Sequence, residues 1–351
     1  MSLFSNLDPV YMELTKKYKG EKSKYIPLIF DRLLSVEEAK LVLQLPVSSK
    51  EELAEKLGWD VEKTGEKVQE LYEKGVLYFT KKGIRPPHHF VEIHDATCSA
   101  PKYDDVLGDE YYELWDKWSL EESAEYVAEA APLVWKTDPP MRVYAKWKAI
   151  KDIPGMEWFD DVRQLIKMQE DTLAIHPCAC VKIARKRFPD IPEMICMVVK
   201  KTGEWTVDRG SGEKASVKDI LDMLESIEDL PIVHIGYNEK PLNRLISNGP
   251  DCCIVYEMSP PGIRAVGTAP SRFRSELDQE MCIGCGTCET LCLFDAIEVK
   301  DHPEKGEKRA FLDEEKCMGC GNCVVNCCIG AYRMKLVEPP EFVPEDFEGY
   351  Y

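Results

Sequence analysis

Two short cysteine-rich runs near the end of the chain constrain its fold more than any other feature. Each run has the spacing C-x2-C-x2-C-x3-C, and their first cysteines lie 35 residues apart. The similarity extends around both runs, so residues 274–300 and 308–336 form an internal repeat. Each copy predicts a strand, a glycine-rich cysteine loop, a brief helical turn and a second strand, at residues 296–300 and 331–336. The two copies predict a module with pseudo-twofold symmetry.

The same spacing holds [4Fe–4S] clusters in bacterial two-cluster ferredoxins, in which the fourth cysteine of each run ligates the other cluster. Glycines in the loops let backbone N–H groups turn toward sulfur. By that crossover the first cluster takes Cys282, Cys285, Cys288 and Cys327, and the second takes Cys317, Cys320, Cys323 and Cys292. Two zinc knuckles are the alternative, but zinc takes four ligands per ion, and eight thiols at this spacing fit two cubes better.

A second, less regular group of cysteines lies in the middle of the chain. Its members are a C-x-C pair, a single residue and an adjacent pair: Cys178, Cys180, Cys196, Cys252 and Cys253. They are candidate ligands of a third iron–sulfur cluster or of a zinc ion, although as small apolar residues they could equally fill a core. Four basic residues follow directly: Lys182, Arg185, Lys186 and Arg187. These could stabilise thiolates, bind an acidic partner or cover a solvated helix face.

The first third of the chain predicts helices. Periodic apolar residues occur at 35–45, 48–57 and 60–74, each stretch with a Ser or Asp suited to cap its first turn. Two short strands turning at residues 81–83 follow. Three helices and a hairpin resemble a winged helix. The next stretch, residues 104–131, predicts a helix whose many Tyr and Trp side chains pack two domains together.

These patterns predict a multidomain α+β protein. We expect an N-terminal arm at residues 1–30, a winged-helix-like domain at 31–90 and an aromatic-rich helical linker at 91–153. A small α/β middle domain with the C-x-C and C-C pairs follows at 154–270, because helices and strands alternate there. A bacterial two-[4Fe–4S] ferredoxin-like domain occupies 271–337, and an acidic, proline-rich tail occupies 338–351.

The composition of the chain limits the partners and the cellular location that we expect. The 351-residue chain has 63 acidic and 45 basic residues, a formal charge of −18, which disfavours binding to nucleic acid. Its start lacks the basic and apolar regions of an export signal, and no apolar run reaches the ~20 residues of a membrane span. We therefore expect a cytoplasmic protein whose fifteen cysteines stay reduced. Neither a dinucleotide-binding nor a phosphate-binding glycine motif is present.

The whole chain resembles a family of large ferredoxin-like [4Fe–4S] dicluster proteins of anaerobes, which have a winged-helix-like N-terminal part and a cysteine-bearing middle domain. The resemblance rests on HPCACVKIARKR from His176, PIVHIGYN from Pro231, ISNGPDCCIVYE from Ile246, and the two cysteine runs with the EPPEF tail. Family members usually carry more cysteines in the middle domain than this chain does. If a third cluster is present, as the resemblance implies, its candidate ligands are Cys178, Cys180, Cys196 and either Cys252 or Cys253.

Three functions are compatible with these features. The first is an electron carrier or electron-transfer subunit that passes single low-potential electrons through two [4Fe–4S] clusters to a partner oxidoreductase in anaerobic metabolism. The second is an iron–sulfur reductase whose catalytic or third metal centre is formed by the middle-domain cysteines. The third is a redox-sensing DNA-binding regulator, although its candidate recognition helix at residues 60–74 is acidic. No catalytic residue can be assigned from the sequence.

Overall fold

The N-terminal region is built from helices, and several of them begin at a polar cap residue. The computed structural model describes residues 6–126, 139–169, 171–249, 268–304 and 306–346. Its first helices are α1 Pro9–Lys17, α2 Ile26–Leu33, α3 Val36–Leu43, α4 Lys50–Leu57, α5 Val61–Glu73, α6 Phe90–Cys98 and α7 Asp104–Glu121. The side chains of Ser35, Ser49 and Asp60 accept hydrogen bonds from first-turn N–H groups of α3, α4 and α5, which satisfies donors that a helix start leaves open.

A short hairpin follows α5. Strands β1 Tyr78–Thr80 and β2 Gly83–Arg85 pair antiparallel, and Val47, between α3 and α4, bridges to Ile84 of β2. Three helices and a hairpin thus occur in the expected order, while their interpretation as a winged helix stays a prediction. Helix α7 packs against α2, and its Trp115 and Trp118 are fully buried. The aromatic residues of this helix therefore serve packing, as predicted.

The middle region is one seven-stranded sheet. Its strands are β3 Met141–Tyr144, β4 Leu173–His176, β5 Cys196–Val199, β6 Glu213–Ala215, β7 Val233–Tyr237, β8 Leu245–Gly249 and β9 Thr268–Ala269, in the order β6-β4-β5-β8-β7-β3-β9. Among the described residues of this region, the helices are α8 Trp147–Ile150, α9 Val162–Lys167, α10 Ala179–Ala184, α11 Lys200–Asp208 and α12 Val217–Ser226. The sheet takes in β3, which precedes residue 154, where the sequence analysis starts the middle domain.

The prediction of an α/β middle domain needs correction. Every described pairing in this sheet is antiparallel except that of β3 with β9, so the region is α+β. Helix α10, which connects β4 to β5, packs against α6 and α7 of the N-terminal region, and β5 lies antiparallel beside β4. A connection of this length is compatible with either strand direction. Alternation of helices and strands along the sequence does not by itself fix strand direction.

The C-terminal module, residues 271–337, repeats one strand–loop–helix–strand unit. Its elements are β10 Phe273–Leu277, α13 Thr287–Leu291, β11 Ile297–Asp301, β12 Lys308–Leu312, α14 Asn322–Val325 and β13 Tyr332–Leu336. Strand β10 pairs with β13 and β11 with β12, all antiparallel. The first strand of one unit therefore pairs with the last strand of the other. No helix in the described ranges is long and apolar enough to cross a membrane.

A buried ion pair fastens this module to the middle sheet. Arg272 donates from Nη1 to Oδ2 of Asp160 at 2.6 Å, and the two side chains are 1% and 2% exposed. The Arg272 Nε donates to the carbonyls of Glu338 and Pro339, which holds the start of the tail against the same place. Burial raises the pKa of Asp160 even beside this cation. Asp160 therefore depends on Arg272 for its charge to be tolerated.

We predict that Arg272→Met destabilises the protein by about 3–5 kcal/mol, because it leaves a buried carboxylate without its partner. The measurement is the denaturant midpoint followed by circular dichroism under anaerobic conditions. The matched control is Arg333→Met. Arg333 pairs with Glu276 on the surface of the same module, and its loss should leave the midpoint unchanged. Equal midpoints for the two variants would contradict this role of the Arg272–Asp160 ion pair.

Candidate functional site

The eight cysteines of the repeat line two cavities. The first site is a cavity lined by Cys282, Cys285 and Cys288 from the first run and by Cys327 from the second. The second site is a cavity lined by Cys317, Cys320 and Cys323 from the second run and by Cys292 from the first. Each site thus combines three cysteines of one loop with the fourth cysteine of the other run. The ferredoxin crossover groups the residues in the same way.

Glycine shapes both loops. Gly284 and Gly319 have φ values of +66° and +69°, which side chains of L-residues rarely adopt. A Cβ atom on Gly284 would lie 2.1 Å from the carbonyl oxygen of Lys308, and one on Gly319 would lie 2.0 Å from that of Phe273. The loops therefore press against the neighbouring strands β12 and β10. This close approach fixes where the cysteines of each loop point.

Backbone and hydroxyl groups surround the sulfur atoms of the first site. The N–H groups of Gly284 and Ala310 both point at Cys282 Sγ, at 3.4 Å, and the N–H of Ala331 points at Cys327 Sγ at 3.2 Å. The Tyr332 hydroxyl donates to Cys288 Sγ at 3.6 Å. Such donors favour a charged sulfur over a neutral one. Burial nevertheless raises the pKa of the Cys288 thiol, so the donors offset only part of the cost of a buried thiolate there.

The second site is more deeply buried than the first. Ala296 N–H points at Cys292 Sγ at 3.4 Å, and the Ser275 hydroxyl lies 3.0 Å from Cys323 Sγ. Burial raises the pKa of the Cys320 thiol to about 12 and raises that of Cys323 well above its usual range. Thiols in such surroundings ionise only when a positive group faces them.

The two sites differ in what covers them. At the first, Cys285 is exposed, and its neighbours Met281 and Ile283 are 47% and 59% exposed. The pKa of Cys285 is lowered by hydrogen bonds from Thr287. At the second, Cys317 and Cys320 pack in one apolar cluster with side chains of β3 and β7, namely Met141, Val143, Val233 and Ile235. The middle sheet therefore covers the second site, while the first faces solvent.

Three of the five middle-domain cysteines come together. Cys178 and Cys180 at the start of α10 and Cys196 at the start of β5 are all buried, and the Cys178 thiol interacts with both others. Contact with Cys180 lowers the pKa of Cys178, whereas contact with Cys196 and burial raise it, and the net shift is well upward. Cys252 and Cys253 lie outside the described residues. Within the described ranges, no three or more His, Cys, Asp or Glu side chains are placed to hold a single metal ion.

The basic residues after Cys180 have partners inside the protein. They pair with acidic side chains along α7, in the order Lys182 with Asp104, Arg185 with Asp109, Lys186 with Glu113 and Arg187 with Asp116. Lys182 is fully buried and contacts Asp104 Oδ2 at 2.6 Å. These charges therefore join α10 to the N-terminal region. Lys182 is therefore not on a solvated face, whereas the Lys186 side chain is 66% exposed, and binding of an acidic partner stays a prediction.

The sequence analysis missed three polar residues beside the cysteines. Ser275 and Tyr332 lie on the paired strands β10 and β13, and Lys146 contacts the loop of the second site from the middle region. A signal for the first two exists in principle, because each interrupts an apolar strand face next to a cysteine run. Lys146 precedes its contact Cys320 by more than 170 residues, and nothing local in the sequence marks it.

Comparison with known proteins supports the interpretation of the repeat. A family model described as "4Fe-4S dicluster domain" matches residues 281–331, which include all eight cysteines of the two runs. The C-terminal part is therefore ferredoxin-like. No curated protein and no solved structure matches the chain.

The residues of both sites fit an iron–sulfur cluster. Each cavity offers four sulfur ligands, which are the soft donors that iron–sulfur clusters take, together with backbone N–H groups directed at sulfur. The spacing of these ligands along the chain is that of the runs that hold four-iron cubes. The donor set therefore fits one cube in each cavity.

We predict that Gly319→Ala destabilises the module and lowers the iron bound per chain, because the new Cβ would strike the Phe273 carbonyl. The matched control is Gly330→Ala. Gly330 has a similar φ of +67° but no atom within 4 Å of an added Cβ, so it should cost only the ~1–2 kcal/mol of a left-handed residue. Denaturant midpoints and iron analysis measure both effects. Equal losses in the two variants would show that the close approach does not matter.

Proposed function

We propose that this chain is a cytoplasmic electron-transfer protein of anaerobic metabolism, either a carrier or a subunit of an oxidoreductase. It exchanges single low-potential electrons with partner redox proteins through two [4Fe–4S] clusters. The first cluster is held by Cys282, Cys285, Cys288 and Cys327, and the second by Cys317, Cys320, Cys323 and Cys292. When bound, such clusters supply one-electron redox chemistry that needs no acid–base residue from the protein.

One observation carries this proposal: eight cysteines of a duplicated segment line two cavities in groups of four, each group drawing on both runs. A structural zinc pair would not need this exchange between the two halves. The match to a dicluster domain over the same residues supports the same chemistry. The resemblance to large ferredoxin-like proteins of anaerobes supports the proposed setting.

The two sites differ in their exposure to solvent, and this difference indicates which of them exchanges electrons with a partner protein. The loop of the first site, with Met281, Ile283 and Cys285, is open to solvent, whereas the middle sheet covers the second site. We therefore place the exchange with a partner at the first site. Residues 276–351 carry ten more acidic than basic side chains, so a partner with a basic face around its own redox centre fits best.

The same charge bears on reduction potential. Iron–sulfur potentials span about −700 to +450 mV, depending on charge, hydrogen bonds and exposure. An acidic module disfavours the addition of an electron, and burial of the second site acts in the same direction. Both clusters therefore belong at the low end of this range. Midpoints inside the Rieske range, which begins at about −150 mV, would contradict this part of the proposal.

A reductase with a third centre is the second candidate function. The contact of Cys178 with Cys180 and Cys196 favours it, because a compact thiol group lies in the same chain as the two sites. A regulatory role on DNA has less support. The exposed face of α5 carries Glu62, Glu66 and Gln69 with a single Lys63. A recognition helix in the major groove needs Arg and Lys side chains around such a face to bind the DNA phosphates.

We predict about eight irons and eight acid-labile sulfides per chain after anaerobic purification, from two four-iron clusters. Metal and sulfide analysis of the full-length protein measures both. About twelve irons would instead support the reductase with a third cluster. Zinc in place of iron, with no visible absorption after anaerobic reconstitution, would overturn the proposed function.

We also predict that the two polar neighbours act on different clusters. Tyr332→Phe removes a hydrogen bond to Cys288, and Ser275→Ala removes one to Cys323. Because such bonds stabilise the more negative reduced state, each variant should lower one midpoint and leave the other in place. A redox titration followed by electron paramagnetic resonance measures both midpoints. The double variant should show both shifts, and a shift of the same midpoint by both single variants would contradict the site assignment.

A further inference from the structure

The middle sheet brings a fully buried lysine to the second site. Lys146 lies between β3 and α8, and its backbone N–H donates to the carbonyl of Cys320 at 2.9 Å. The following residue of the loop, Gly321, is so close that an added Cβ would lie 3.6 Å from Lys146 Cβ and 2.8 Å from Ala149 Cβ. Helix α8 and the loop of the second site are therefore in direct contact.

The ammonium group of this lysine has hydrogen bonds but no carboxylate partner in the described part of the chain. Its Nζ donates to the main-chain carbonyls of Glu228 and of Leu230, the latter at 2.6 Å. The Glu228 carboxylate is engaged elsewhere, since it accepts from the N–H of Lys148 at 2.8 Å and faces Arg163 at 3.6 Å. The Glu228 and Asp229 carboxylates act on Lys146 without an ion pair to it, and burial still lowers the pKa of its ammonium group to about 8. The charge of this buried cation is therefore only partly balanced by carboxylates, and a further negative group nearby would stabilise it.

Charge from the second site can supply that anion. Lys146 acts electrostatically on Cys320, and burial is the largest influence on both groups. We propose that Lys146 is the buried countercharge of the second cluster and raises the reduction potential that burial alone would set for it. This inference rests on the proposed function. A fixed cation stabilises the reduced cluster more than the oxidised one, because reduction adds one negative charge.

The effect should be confined to one cluster. At the first site, the polar neighbours of Cys285 and Cys288 are the hydroxyls of Thr287 and Tyr332, and the loop is open to water, which screens charge. Of the two cysteine loops, the described contacts of Lys146 are with the loop of the second site. Its removal should therefore separate the two midpoints.

The test is a redox titration of the full-length, anaerobically purified protein with Lys146→Met, followed by electron paramagnetic resonance. The midpoint that Ser275→Ala shifts should fall by at least a tenfold change in the one-electron equilibrium, which is 59 mV, while the other midpoint stays in place. Lys146→Arg keeps the charge and should retain most of the parent potential. Lys148→Met is the matched control, because Lys148 lies two residues further along the chain, on α8, and pairs with Asp229.

Two controls test whether the variants still fold. The first is the iron content of each variant, and the second is another neutral variant, Lys146→Gln, whose side chain can still donate to a carbonyl. If both neutral variants lose four irons while Lys146→Arg keeps eight, the charge is required at the second site and the proposal stands. Unchanged midpoints in both neutral variants, equal shifts of both midpoints, or loss of iron also in Lys146→Arg would overturn it. A parent protein without two reducible clusters would instead overturn the proposed function itself.

Discussion

The structure depends on an exchange of cysteines between the two halves of a repeat. Cys327 completes the site of the first run, and Cys292 completes that of the second. Neither half can therefore form its site alone, and the strand pairings β10 with β13 and β11 with β12 keep the halves in register. The glycines at 284 and 319 matter for the same reason. They let each loop approach a strand closely enough for the thiols of that loop to line its own cavity.

The rest of the chain makes the two sites unequal. The Arg272–Asp160 ion pair and the contact of Lys146 with Cys320 hold one side of the module against the middle sheet. The second site then lies under β3 and β7, while Cys285 of the first remains exposed. A symmetric sequence repeat thus becomes an asymmetric pair, in which one site is open to solvent and the other lies against this protein's own middle region. The N-terminal helices join the same body through the charges between α7 and α10.

The parts that the sequence predicted well are those encoded locally. Cysteine spacing, loop glycines and the caps of α3, α4 and α5 act within a few residues, so the repeat and these helices could be predicted from the sequence. Strand direction in the middle sheet could not be predicted, because a helical connection such as that between β4 and β5 is compatible with either direction. Lys146 escaped prediction for a similar reason, since only the folded chain brings it to Cys320. Contact among Cys178, Cys180 and Cys196 likewise follows from tertiary structure.

The most direct test of this account is anomalous diffraction at the iron edge from crystals of the anaerobically purified protein. The account predicts two separate four-iron peaks in the C-terminal module, one in each cavity. Cys327 Sγ should lie within bonding distance of the first peak and Cys292 Sγ within that of the second. A single metal ion in either cavity, or a cluster whose fourth ligand comes from its own run, would contradict the central claim.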